Sequence, residues 1–474
     1  MKIFLIIPPS IHYIEPYAYI EADRSNVTRP PLGLLYVATA ARQSTSAEIR
    51  IVDLNIGDTS LTDLERIIGE ERPDIVGFGV LSFNLLNCME VCKVIRRVSP
   101  ATVICFGGWH PTLYPEETLQ LGVADCIVIG EGEQTFCEMI QALGKGDGAG
   151  LEALAGIRGV GYRRLDGSIQ INERRDPLRN LDELPFPDYD LIDAGKYSHL
   201  LATTDNVVSI MTSRGCPQQC VFCDLRKTTY RFRSPSNIME EIRGCYERGA
   251  REFFIQDDNF TIHRKRALEF CHLLAESGLR IKYKISSRVD YLDEELVKAL
   301  KRSGCYRLYL GVESGSQSML DYLEKGITVE QTRKAFRIAQ ANGIDCCAYV
   351  MIGIPHEGLR DIEATRRLVR EIRPRHLQCS ICTPMPRTRL YDQLLQEGMI
   401  AEDYWLAFAK KPDPSFRIRF ASAAFKAEEL RRIQNRIQRE FYWSPRLLWR
   451  ELRDTRGVRG LLAKARLAMR MLLT

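Results

Sequence analysis

Five short apolar runs, KIFLII, EIRIVDL, DIVGFGV, TVICFGG and DCIVIG, recur over the first 140 residues and alternate with helical patterns such as LGLLYVATAAR. A strand that is apolar at successive positions has no polar face, so a sheet of such strands must be covered on both sides, as parallel βαβ sheets are. The pattern therefore predicts a doubly wound α/β domain over residues 1–145. Ligands of such sheets sit beyond the carboxyl ends of the strands. Attention falls on the segments there: PPS (8–10), LSFN (81–84), GGWHPT (107–112) and GEGEQ (130–134). Two of the four are rich in glycine, which lets a ligand approach the backbone closely.

A loosely patterned stretch, 146–200, reads as a linker; within it LDELPFPDYD flanks Phe186 with prolines and removes helix as an option. A second series follows, with VVSIM, EFFIQ, KYKIS, RLYLGV, CCAYVMIG and HLQCSI as strands. The helical patterns SNIMEEIRGCYERG and DEELVKALKRSG between them each end in a capping glycine. Six βα units over residues 201–400 predict a partial (β/α)6 barrel, in which functional residues gather at the strand carboxyl ends. Residues 401–474 read as a basic helical C-terminal region. At 474 residues the chain exceeds what one hydrophobic core usually serves, which agrees with this division.

Composition narrows the function classes. Fifteen cysteines in a long chain that is 45% hydrophobic do not suit a disulfide scaffold and predict a reducing, cytoplasmic setting. The start MKIFLIIPPS is too short in its apolar run for a signal peptide and is cut by Pro-Pro, so it reads as a buried strand. No apolar stretch approaches the ~18 to 20 residues of a membrane span, which leaves only peripheral contact. From Arg417 onward there are fifteen Lys/Arg against five Asp/Glu, so the basic excess belongs to the tail.

The stretch TSRGCPQQCVFC (212–223) directly after VVSIM sets Cys216, Cys220 and Cys223 in C-x₃-C-x₂-C spacing. Three thiolates on one loop are a soft ligand set for zinc or an iron–sulfur cluster. Structural zinc prefers four closed ligands, usually from paired knuckles, and no second pair stands nearby. A cubane held by three cysteines instead keeps one iron open to a substrate or cofactor. Three buried cysteines that merely fall close together are the bland alternative.

Taken with its place after the first barrel strand, the C-x₃-C-x-aromatic-C motif resembles that of the radical S-adenosylmethionine superfamily. The resemblance implies a [4Fe–4S] cluster on Cys216, Cys220 and Cys223 whose fourth iron chelates S-adenosylmethionine, and an external one-electron donor of flavodoxin or ferredoxin type. It places Phe222 against the adenine. QDDNF (256–260) stands where the superfamily supports the methionine amino group, through Asp257 or Asp258, although it departs from the commoner Gly-Gly-Glu. SSR (286–288) and GVESGS (311–316) place Arg288 and Glu313 near the cofactor, and VMIGIP (350–355) places Ile352 at the adenine. Each has a structural alternative: Asp257 and Asp258 as helix N-terminal carboxylates, and Arg288 with Glu313 as a barrel-mouth ion pair.

Before such a barrel, the series PPLG (30–33), LSFN, GGWHPT and GEGEQTF resembles the Rossmann-like cobalamin-binding domain of the class that includes methylases and the anaerobic porphyrin ring cyclase. The cobalamin contacts so implied are Ser82, Gly107, Gly108, His110, Gly130, Glu131, Gly132 and Glu133. The cobalt-ligating Asp-x-His-x-x-Gly loop of methionine-synthase-type domains is replaced by PPSIHYIEP, in which His12 is the sole candidate ligand. The lower cobalt face is therefore expected to lack a histidine, and His110 to touch the corrin edge.

The resemblance implies C-methylation: one S-adenosylmethionine recharges cobalamin with a methyl group, a second yields the 5′-deoxyadenosyl radical, and the substrate radical takes the methyl. The alternative is a cobalamin-containing relative that performs a non-methylating cyclisation, rearrangement or oxidation. A tRNA methylthiotransferase would need three more cluster cysteines in one loop, whereas Cys88, Cys92, Cys105, Cys126 and Cys137 are spread over helices and strands. A non-catalytic cobalamin-binding regulator would need no cluster loop.

VRGLLAKARLAMRMLLT interleaves apolar and basic residues and could meet an anionic membrane, though such a helix more often packs on its own domain. The spread of the arginines speaks against nucleic acid. A small-molecule or lipid-like substrate is expected, with contacts from the barrel mouth, the tail and the tyrosine-bearing segment 11–28.

Overall fold

The first βα series folds as its patterning demands. In a computed structural model, the described residues are 1–12, 30–57, 59–145, 148–197, 207–225, 228–420 and 422–454. They divide into two units. One is built on the first sheet together with residues 402–417, the other on the second sheet with residues from 418 onward.

The first sheet contains β1 (Lys2–Ile7), β2 (Glu48–Asp53), β3 (Ile75–Gly79), β4 (Val103–Gly107), β5 (Cys126–Val128), β6 (Val160–Arg163) and β7 (Ile169–Ile171). Their spatial order is β2-β1-β3-β4-β5-β6-β7, and the first five run parallel. Ile3, Phe4, Leu5 and Ile6 are all buried, because helices cover both faces. On one face Ile3 and Leu5 pack with Ala38 and Ala41 of the helix Leu32–Ser44 and with Phe136 and Ile140 of the helix Gly132–Leu143. Strand order reverses between β1 and β3, which makes the crevice at their carboxyl ends the natural ligand position.

Two strands lie where the linker was expected. β6 and β7 continue the sheet antiparallel, joined by a turn in which Gly167 has φ +84°. The Arg164 N–H donates to the Ser168 carbonyl at 2.8 Å. The Asp-Gly pair in RLDGS is the hairpin signal that marks them.

All six predicted strands of the second series form: β8 (Val207–Ile210), β11 (Glu252–Ile255), β12 (Lys282–Arg288), β13 (Cys305–Glu313), β14 (Asp345–Ile352) and β15 (His376–Ile381). They run parallel in the order β15-β14-β13-β12-β11-β8. Between them a two-stranded ribbon, β9 (Ser213–Arg214) with β10 (Arg231–Phe232), closes the base of the cysteine loop. Pleating separates two faces. Cys346, Ala348, Val350 and Ile352 of β14 join Leu308, Leu310, Phe336 and Leu368 in the core under the helices. The alternate residues Tyr349 and Met351 are only partly buried.

The C-terminal region divides between the units. The helix Tyr404–Lys410 belongs to the first, where the fully buried Trp405 meets Phe83 edge-on at 5.8 Å and Phe416 at 5.1 Å. The helix Ala427–Tyr442 packs on β15 through Leu430 and Ile437, and Gln434 and Gln438 donate to the Cys379 carbonyl at 2.7 and 3.0 Å. The tail from 458 and most of the 11–28 segment lie outside the described residues. Among the described residues no helix is long and apolar enough to cross a membrane.

Leu430 fills the space left by Gly353, where a Cβ would stand 2.8 Å from its Cδ1. Leu430→Ala is expected to cost about 2–5 kcal/mol, read as a lower denaturation midpoint by circular dichroism.

Candidate active site

Gly215 opens the cysteine loop with φ +84°, and a Cβ there would sit 2.4 Å from the Thr229 carbonyl oxygen. Only glycine fits this crossing. Beyond it the Cys216 N–H donates to Thr228 Oγ1 at 2.8 Å and the Cys223 N–H to the Cys220 carbonyl at 3.2 Å. The Val221 N–H donates to the Leu323 carbonyl at 3.0 Å, and its carbonyl accepts from the Leu390 N–H at 2.9 Å. Cys220 is buried, while Cys216 and Cys223 are partly open. Burial raises the Cys216 thiol and pushes Cys223 up to about 12; Cys220 raises Cys216 further, and Asp224, Cys220 and Cys216 raise Cys223 further. Without a cation these thiols keep their protons; a bound cationic centre would draw them off. Among the described residues no group of three or more His, Cys, Asp or Glu closes on a single-ion position.

Beneath the loop lies a buried charged platform. Asp257 Oδ1 accepts from the backbone N–H groups of Thr212 (2.7 Å) and Ser213 (3.0 Å), and Oδ2 from their hydroxyls (2.5 and 2.6 Å). Arg266 stands 3.8 Å from the same carboxylate and donates to the carbonyls of Thr212 (2.9 Å) and Arg233 (3.1 Å). Arg233 in turn pairs with the buried Glu241 and donates to the Met211 carbonyl at 2.9 Å. The resemblance placed Asp257 or Asp258 against the cofactor; both oxygens of Asp257 hold the strand-to-loop junction. Asp258 is the open neighbour, and its carboxyl accepts from the Gly215 N–H. Crowding by the protein and the charges of Asp257 and Asp224 push it up to about 6.

Phe222, Arg288 and Glu313 come to the same end of the barrel. Glu313 takes φ +61° and accepts from Lys325 Nζ at 2.7 Å, both side chains nearly buried. Lys325 Nζ also lies 5.9 Å from the centre of the Phe222 ring. Lys325 stands in no motif, so nothing in the sequence marks it. Arg288 is not paired with Glu313: its Nε and Nη2 grip Asp290 at 2.9 and 3.0 Å, and Nη2 also donates to the Lys325 carbonyl at 2.7 Å. Ile352 points into the helix-covered core and is fully buried, so it cannot present its side chain to an adenine. Strand phase puts Tyr349 and Met351 on the other face, with Tyr309 stacked on Tyr349 at 5.8 Å. Just past β14, Glu357 accepts from the N–H groups of Gly353 (2.5 Å) and Ile354 (3.3 Å) through Oε2, while its buried Oε1 has no partner. Burial pushes this carboxyl up to about 8.

In the first unit the predicted loops line the strand ends. Gly108, φ +97°, brings β4 so close to β3 that a Cβ would lie 3.0 Å from the Val80 oxygen. Gly107 precedes it, its carbonyl accepting from the Val80 N–H at 2.7 Å. Gly130, φ +83°, faces open space, and its N–H donates to Thr112 Oγ1 at 2.9 Å. Gly132 starts the following helix, packed on Val37. Glu131 Oε2 accepts from the Leu178 N–H at 3.1 Å, and Glu133 is buried. His110 is fully buried, with Nδ1 2.9 Å from the equally inward Ser82 Oγ. Burial pushes it down to about 4, so the ring is neutral. The expectation that its side chain meets the corrin edge gives way to a role in tying the β3 and β4 loops together. The exposed side chains there are Leu81 and Trp109. Asn87 pins the segment after β1 by accepting from the Ile11 and His12 N–H groups at 3.2 and 2.6 Å. Cys88, Cys92, Cys105, Cys126 and Cys137 are all buried on helices and strands.

Comparison with known proteins gives these two sites their class. Residues 210–369 match the radical SAM superfamily and residues 23–140 the B12 binding domain. The chain is 32% identical over 475 residues to the Pyrococcus horikoshii protein named "Uncharacterized methyltransferase PH0819", with 98% of each chain covered. It is 29% identical over 371 residues to the anaerobic magnesium-protoporphyrin IX monomethyl ester cyclase of Rubrivivax gelatinosus, covering 77% of this chain and 66% of that one. Its fold is similar to that of the cobalamin-dependent S-adenosylmethionine radical enzyme OxsB, with a TM-score of 0.72 at 18% identity over 100% of this chain and 70% of the other.

The protein thus belongs to the cobalamin-dependent radical S-adenosylmethionine enzymes, with the B12-binding domain first and the radical domain after it. Its cofactors are a [4Fe–4S] cluster, S-adenosylmethionine and cobalamin. The donor chemistry of the three mutually close thiols fits the cluster, and the glycine-opened strand ends fit a large ligand approached by backbone.

Two outcomes follow from the charged groups. Asp257→Ala strands Arg266 and is expected to cost about 3–5 kcal/mol, with iron content falling on reconstitution. Since Glu357 is raised from 4.5 to about 8, the stability that comes from its protonated form is lost as pH rises through about 8. Glu357→Gln should flatten that decline, seen in denaturation midpoints between pH 5 and 9.

Proposed function

We propose that the protein is a C-methyltransferase that places a methyl group on a carbon with no useful acidity. The observation that carries this reading is the pairing, in one chain, of a three-thiol loop with a B12-binding domain. In sequence, PPSIHYIEP stands where a cobalt-ligating histidine loop would be, and a domain without that loop would suit delivery of methyl to a carbon radical. The similarity along 98% of the chain to a protein named as a methyltransferase supports the same reading.

When bound, the cluster and S-adenosylmethionine supply a hydrogen-abstracting radical, and cobalamin supplies the methyl group. The chain's own residues do the rest. Cys216, Cys220 and Cys223 would hold the cluster and leave it open to the methionine part of S-adenosylmethionine, whose ammonium the exposed Asp258 carboxylate would receive. Phe222 would lie against the adenine, beside the Lys325–Glu313 pair. Tyr309, Tyr349 and Met351, on the face turned away from the helices, line the substrate side and keep water from the substrate radical. An external donor of flavodoxin or ferredoxin type supplies electrons in a reducing cytoplasm. The substrate is a small or lipid-like molecule. A lipid-like one suits peripheral membrane contact by the C-terminal region, in which Trp443, Leu448 and Trp449 are exposed.

Assays with S-adenosylmethionine deuterated in its methyl group should give a product heavier by the labelled methyl. A product without the label would exclude methylation and favour a cyclisation, rearrangement or oxidation. Replacing Cys216, Cys220 and Cys223 together by Ala should abolish reductive cleavage of S-adenosylmethionine while cobalamin still binds, checked by absorption spectra.

A further inference from the structure

Arg288 was expected near the cofactor, and its nitrogens are divided between the cysteine loop and two other partners. Its side chain is 7% exposed, and Nη1 donates to Cys220 Sγ at 3.7 Å. The other end of the fork is fixed: Nε and Nη2 hold both oxygens of Asp290 at 2.9 and 3.0 Å, and Nη2 reaches the Lys325 carbonyl at 2.7 Å. The guanidinium is therefore locked in plane, with one N–H aimed at sulfur. Asp290 is the more open partner, at 22%. Cys220 is the buried one of the three cysteines, so little water competes for its sulfur.

We propose that Arg288 is a positioning residue that sets the reduction potential of the cluster through Cys220, with Asp290 as its counterweight. This rests on the reading of Cys216, Cys220 and Cys223 as the cluster ligands. The step concerned is a one-electron reduction: the 2+ cluster gains an electron from a low-potential one-electron donor, which is oxidised, and no proton or bond is exchanged. The added electron raises the negative charge on the sulfurs. An N–H directed at Sγ, carrying positive charge in a dry site, stabilises that reduced form and raises the midpoint. The Asp290 carboxylate offsets part of the charge and lowers it. Lys325 joins the two parts of the site, since its carbonyl orients Arg288 while its Nζ holds Glu313. The arrangement links the cluster's potential to the groups around Phe222.

The test is an anaerobic redox titration of the full-length reconstituted protein with dithionite, without S-adenosylmethionine, followed by the electron paramagnetic resonance signal of the reduced cluster. Arg288→Gln should move the midpoint to more negative potential. Asp290→Asn, which keeps the arginine and removes its counter-charge, should move it to less negative potential. A residue that merely held the loop in shape would not give opposite signs. The proposal is overturned if Arg288→Gln retains its iron and sulfide yet titrates as the wild type does, or if Asp290→Asn leaves the midpoint in place or lowers it. Should Arg288→Gln fail to assemble a cluster, Asp290→Asn alone decides by the same criterion. A wild-type chain with no iron and sulfide after reconstitution would sink the cluster-ligand reading itself and this proposal with it, a result distinct from an unmoved midpoint.

Discussion

The Asp257 carboxylate is the constraint on which the radical site is built. One buried side chain collects two backbone N–H groups and two hydroxyls from Thr212 and Ser213, just where β8 gives way to the cysteine loop. A buried carboxylate is costly unless its lone pairs are met. Here they are met by the very atoms whose positions decide where Gly215 and Cys216 begin. Arg266 and Arg233 extend the platform through backbone carbonyls, so each charge is compensated partly by dipoles rather than by a single ion partner. Such a network resists small displacements because moving any member leaves another unsatisfied.

The two ends of the cysteine loop are treated differently. The start is welded to the barrel by Asp257, whereas the middle is held by backbone bonds of Val221 to Leu323 and Leu390. Between them the Cys216 and Cys223 thiols are left partly open, and burial keeps them protonated. A backbone fixed in advance suits a site whose ligand set is completed only when the cluster is loaded.

Much of this was legible in the residues. All six barrel strands and five strands of the first sheet were marked by apolar runs, since a strand buried on both faces has no other composition available. The cysteine spacing and the strand-end position of Glu313 were equally plain. The misreadings have local causes. Ile352 was chosen from a motif without counting the pleat, and period two sends it to the core. Asp257 and Asp258 are adjacent and alike, and only three-dimensional hydrogen bonding separates the anchor from the open group. His110 lies in a glycine-rich loop but turns inward to Ser82. β6 and β7 were too short and too polar at their flanks to stand out from the linker. Lys325 and the Arg288–Cys220 contact join residues 12 and 68 positions apart from their partners, a separation no local pattern encodes.

The segment carrying Trp405 belongs with the first unit although 200 residues of barrel precede it. Phe83, in the loop after β3, packs on that ring. The first unit is therefore discontinuous in the chain, and cutting it out at the end of its sheet would leave Phe83 without its cover. During synthesis the same fact imposes an order: the barrel's sequence emerges from the ribosome before the B12-binding unit receives its last element. The radical domain is in effect an insertion within the unit that precedes it.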